Sequence, residues 1–251
     1  MKLLGVDVGF SKTRPTTGIA VLFGDRLTVE KAGSEWSQRR HFVPSDFCPT
    51  IIALDGPLLP FGAAELARRE CELLFVRAPY HNRCKPGLSH SGSGLELRRA
   101  ATESCRQFSQ TLSGLEPSRP VSVHRDGPIV EAFPNAFLGV LTSNEDFLSA
   151  PRFKRGKRFD WLYDRVVGTG ELQRRLSPIL DLPEIVWSRL RTERDHEKRA
   201  ALICLLTAAV ANVRIAQIVG EETGGWFWLP PVQLWQPWAR DALQNVGARF
   251  I

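Results

Sequence analysis

The chain has 251 residues, 43% hydrophobic and 24% charged, which excludes a disordered or low-complexity chain and suffices for one large core or two small ones. No run approaches the roughly 18 uninterrupted apolar residues of a membrane span, so no membrane partner is expected. The net charge of +6 suits a polyanionic partner, although an ordinary basic protein carries the same excess.

In chain order, the first expected strand covers residues 2–9, an apolar run with one acid, Asp7, in its middle. The chain opens on that strand, unlike a secretory leader. Strands over 17–23 and about 26–30 follow, joined by a Gly24-Asp25 turn. A short polar segment with Trp36 and Phe42 reads as helix or loop. Residues 50–57 form a continuous apolar strand ending on Asp55 and a turn, the pattern of a strand buried on both faces.

Residues 62–76 read as helical. The stretch 78–94 has no period and is long for a structureless loop. Leu97, Ala101, Cys105, Phe108 and Leu112 then recur at helical spacing, with Ser93 as cap. Strands near 120–124 and 128–133 are expected next, the second carrying Glu131. Residues 151–160 are strongly basic. Pro183 opens a short helix and Asp195 a long apolar one through about Val219, before a Trp-rich close that includes Trp226, Trp228, Trp235 and Trp238. A three-strand meander followed by alternating helices and strands predicts an α/β domain on a mixed sheet.

Cys48, Cys71, Cys84, Cys105 and Cys204 are odd in number, widely spaced and without a CxxC pair. Reduced thiols and a cytoplasmic setting are expected. Cys71, His81, Cys84 and His90 match no usual zinc spacing.

Asp7, Asp55 and Glu131 stand on predicted strands, and Asp195 stands where the long helix begins, with Glu197 beside it. Strand ends of an open sheet bring distant residues to one crevice. Carboxylates gathered there suit Mg or Mn, hard cations that orient a water and stabilise the leaving oxygen of a phosphodiester. Any one of these acids alone is ordinarily a turn residue.

Several short motifs occur in one order: GVDVGFSKTRPTTGIAVL at 5–22, IIALDGPL at 51–58, RRECE at 68–72 and RCKPG at 83–87. IVEAFPNAFL at 129–138, DHEKRAALICLLTA at 195–208 and GWFWLPP at 225–231 complete the set. With them the chain resembles the predicted-nuclease family called domain of unknown function 429, a branch of the ribonuclease-H-like superfamily. The resemblance implies one ribonuclease-H-like domain over 1–251, a mixed β-sheet flanked by helices, with insertions near 78–94 and 140–190. It also implies a metal-dependent nuclease. Asp7 would be the central ligand, Asp55 the second-strand carboxylate and Asp195 the helix carboxylate, with Glu131 a ligand or a group that holds one. Related resolvase-like nucleases carry a further acid three or four residues into the final helix, where this chain has Lys198 and Arg199. A one-metal site, or a nucleic-acid-binding module without catalysis, therefore stays open.

Candidate substrate contacts are Lys12 in the first turn, Arg83 and Lys85 on the long loop, and Lys154, Arg155 and Lys157 among interleaved rings at Phe153 and Phe159. Solvated loops would have the same composition. Ser89 and His90 join Arg83 and Lys85 as possible phosphate contacts. The late tryptophans read as core before base-stacking rings. His196 is either a general base or a plain helix-start residue. The first turn, Asp7 to Ser11 followed by Thr16-Thr17-Gly18, also resembles the phosphate loop of actin-like phosphotransferases, which need a second copy of the domain; the sequence has no internal repeat.

Overall fold

The computed structural model describes residues 1–60, 63–64, 68–84, 87–112, 125–153 and 156–245. Its strands are β1 (Lys2–Asp7), β2 (Thr17–Phe23), β3 (Arg26–Ala32), β4 (Ile51–Asp55), β5 (Ile129–Ala132), β6 (Gln217–Glu221) and β7 (Gly225–Leu229). They form one mixed sheet in the order β3-β2-β1-β4-β5-β7-β6. The first three make an antiparallel meander, β4, β5 and β7 add in parallel to β1, and β6 closes the far edge antiparallel to β7.

The helices are α1 (Trp36–Arg40), α2 (Glu70–Phe75), α3 (Gly92–Ser109), α4 (Pro134–Gly139) and α5 (Asn144–Leu148). They continue as α6 (Lys157–Val166), α7 (Glu171–Leu176), α8 (Glu184–Thr192), α9 (His196–Asn212) and α10 (Pro237–Asn245). Leu4, Val6, Ile19, Val21, Ile52 and Leu54 face α3, where Ala101, Cys105 and Phe108 cover them. Leu3, Ala20, Leu22, Ala53, Val130 and Ala132 face the opposite way, in one core with α9. Covering both faces is why these strands read as continuous apolar runs.

Helix α9 is buried from Arg199 to Ala211 and shows no apolar stripe, as a helix covered all round should. It lies against β1 and β2 because those strands present glycines to it. A Cβ on Gly5 would overlap the backbone of Ala201 and Leu205, and one on Gly18 would overlap the Glu197 carbonyl. The start of α9 is thereby pressed onto the strand ends.

Several expected boundaries move. Within 62–76 only Glu70–Phe75 is helical among the described residues, and Arg69 is extended. Helix α3 starts two residues early, with Ser91 rather than Ser93 at its cap position. The long helix stops at Asn212 because Arg214 adopts a left-handed conformation (φ 58°), and the β-branched Ile218 and Val219 enter β6 instead. Among the described residues the expected insertion near 140–190 carries short helices, α5 to α7 and α8, which runs on to Thr192. The strand expected at 120–124 lies outside the described residues.

Candidate functional site

Backbone register places Lys31, Gly18, Asp7, Asp55 and Ala132 in one row across β3, β2, β1, β4 and β5. Neighbouring strands are about 4.8 Å apart, so Asp7 and Asp55 stand side by side at the ends of two parallel strands. Both are half-buried, on the face that carries α9. Neither carboxylate has an ion-pair or hydrogen-bonding partner among the described residues. Burial first, then the charges of Asp55, Glu197 and Asp195, push the Asp7 carboxyl well above its ordinary range. Burial, followed by repulsion from Glu131, lifts Asp55 to about 7.

Asp195 caps α9, accepting the Lys198 N–H at 3.2 Å, and pairs with Lys31 at 2.7 Å. Glu197 lies 3.6 Å from the same ammonium. Burial works to raise Asp195, but Lys31 and the cap bond outweigh it and hold the carboxyl below its usual value. Lys198 turns away to Glu30 at 2.8 Å. Arg199 donates to the Glu193 carbonyl at 3.0 Å and to Asp164 at 2.9 Å, so both departures at the start of this helix are absorbed by local partners.

Glu131 does not join the acid pair. It is in register with Leu54, hence on the α3 face, whereas Asp55 is in register with Ala132 on the α9 face. Arg69 grips both its oxygens, one at 2.9 Å, and the Leu58 N–H donates to it at 2.8 Å. Burial lifts Glu131 to about 7 against those partners, while Arg69 is raised because Glu131 overcomes its own desolvation. Two N–H groups on two carboxylate oxygens are the geometry of an ionised pair. Arg69 also holds Glu72 at 3.0 Å, which in turn accepts from Ser89, and Ser89 meets Arg98. Ser89 is thus a buried link in this network, where the sequence suggested a phosphate contact.

Lys12 is exposed in the β1–β2 turn, beside an open depression of about 590 Å³ lined by Ser11 to Pro15, Gly33 to Glu35 and Gln38. Ser11 Oγ accepts the Arg14 N–H at 3.2 Å, ordinary turn chemistry. Lys157 is exposed and 3.5 Å from Asp160. Arg83 is half-buried against Trp238. Lys85, Lys154 and Arg155 lie outside the described residues. Trp226, Trp228 and Trp235 are core, and Trp238 is half-buried. His196 Nδ1 is 3.0 Å from Asp160, so that acid orients the ring.

Lys31, Arg69 and Asp160 are the residues that sequence reading missed. Arg69 had a signal, its place in the RRECE motif, and Lys31 directly follows the expected third strand. Among the described residues no group of three or more His, Cys, Asp or Glu side chains gathers as a metal centre; Asp7 and Asp55 stand as a pair that feels the charges of Asp195 and Glu197. Comparisons with protein-family models, curated proteins and solved structures return no match.

Proposed function

We propose that this protein is a metal-dependent nuclease whose Asp7 and Asp55 carboxylates hold Mg or Mn. The observation that carries the reading is two adjacent, half-open carboxylates with no counter-charge among the described residues, at the ends of neighbouring parallel strands. Unpaired acids in such a place are costly unless a cation or a proton neutralises them. The run β3-β2-β1-β4-β5 is also the strand order of a ribonuclease-H-like sheet, which supports the family expectation. When bound, the cation would supply Lewis-acid polarisation of the phosphate and of the attacking water. Asp7 and Asp55 would fix it at the strand ends. Lys31 keeps Asp195 charged beside them and lies 3.6 Å from Glu197.

The test is cleavage of labelled single-stranded, duplex and branched DNA and RNA with Mg, Mn or EDTA. Metal-dependent cleavage that Asp7→Asn abolishes is expected. Folded protein that cleaves none of these substrates would overturn the reading. A second reading, a nucleic-acid-binding module without catalysis, is favoured by one observation: Lys31 already neutralises Asp195, the helix carboxylate that would ligate the metal. Salt-sensitive binding without cleavage would decide for it. The actin-like alternative requires two such domains, and the described residues form one sheet.

A further inference from the structure

Away from the acid pair, rings and guanidinium groups from several segments meet at one surface. Phe147 of α5 lies 5.7 Å from Trp161 of α6 and 5.8 Å from Trp238 of α10, and Phe153 lies 5.2 Å from Trp161. Arg83 stacks over Trp238 at 4.2 Å, and Arg158 lies over Phe153 at 5.4 Å. On α6, Arg158, Trp161 and Arg165 share a face by their three- and four-residue spacing. The four rings are half-buried, and neighbouring Leu148 is 79% exposed.

Packing explains the rings but not the charges. Arg165 is matched by Asp146 at 3.6 Å. Arg83 and Arg158 have no carboxylate partner among the described residues. Their polar contacts are neutral: Asn144 Oδ1 at 2.5 Å for Arg83 and the His81 carbonyl at 3.5 Å for Arg158. Both are half-buried, and both act on the same buried thiol, Cys84. Two partly desolvated guanidinium groups without an anion are costly to keep together. The sequence adds Arg152, Lys154, Arg155 and Lys157 beside Arg158, with no acid between 152 and 158.

We infer that this surface binds an unpaired stretch of nucleic acid. Arg83 and Arg158 take backbone phosphates, for which the planar guanidinium is suited. The rings take base faces, which are accessible only in an unpaired strand. The inference rests on the nucleic-acid reading above and deepens it by naming the form of substrate. Helix α6 also connects the two regions, since its Asp160 touches His196, the residue after Asp195.

Tryptophan fluorescence of the full chain, in EDTA, is followed against a single strand of about 12 nucleotides, its duplex, and polyglutamate. At least tenfold tighter binding of the single strand than of either competitor is expected. Arg158→Ala should weaken it about fivefold and lower the salt slope by about 0.7, the value for one phosphate on a single strand. Trp161→Phe should stay within about twofold and Trp161→Ala lose about tenfold, the size of one stacked base. Arg158 is at the surface, so its variant stays informative where a ring variant fails to fold, as circular dichroism would show. Equal binding of duplex, equal binding of polyglutamate, or an unchanged Arg158→Ala would each overturn the inference. Metal-dependent cleavage with no preference for single strands would overturn it while leaving the acid-pair reading intact; single-strand binding without any cleavage would do the reverse.

Discussion

Asp55 carries an electrostatic cost with a readable pH signature. Burial, then Glu131, puts its folded-state pKa at about 7, above the unfolded value of 3.8. A carboxyl raised in this way stabilises the fold fully below the unfolded pKa, and that contribution is lost as pH rises through about 7. Metal-free Asp55→Asn should therefore match the wild type near pH 4 and exceed its stability by about 1–2 kcal/mol at pH 8, after allowance for the water that reaches this half-open group. Urea unfolding at both pH values checks this, and an identical pH slope in the two proteins would refute it. Arg69 is the opposite case, a buried cation fully matched by acids. Arg69→Met should cost about 3–5 kcal/mol because Glu131 and Glu72 stay buried without it, measured by the same titration.

At the scale of elements, the close seat of α9 on β1 and β2 decides where Asp195 and Glu197 stand. Gly18→Ala should cost about 2–3 kcal/mol in denaturant unfolding and also weaken divalent-metal binding, because the added Cβ pushes against the Glu197 carbonyl. A variant that loses stability but binds metal as the wild type does would separate helix seating from the site. The meander was legible in the sequence because the apolar runs of β1 and β2 are separated by a small-residue turn and β2 and β3 are joined at Gly24-Asp25. The face of Glu131 was not legible. All four residues of β5 are buried, so a period of two names no inside and outside, and only its register with Leu54 settles the matter. The end of α9 was hidden for a similar reason, since the apolar run continues past Arg214 into a strand.

For the whole molecule, the mixed α/β sheet flanked by helices was legible because its two covered faces write apolar runs into the sequence. No described helix is long and apolar enough to cross a membrane. The grouping of acids was legible only in part: strand ends pointed to Asp7 and Asp55, but no spacing reveals that Lys31 sits at Asp195 or that Asp160 meets His196. Cys71, Cys84, Cys105 and Cys204 are buried, and burial pushes Cys71 and Cys105 up to about 12. These four thiols should react with a thiol reagent only on unfolding, and fast labelling of any of them in the native protein would contradict the packing. The most direct test of the central claim is Mn²⁺ binding followed by electron paramagnetic resonance, on the wild type, Asp7→Asn and Asp55→Asn, each checked for fold. Binding in the wild type that is lost or weakened at least tenfold in both variants is the expected result. No Mn²⁺ binding by the wild type, or equal binding by all three, would contradict a cation held between Asp7 and Asp55.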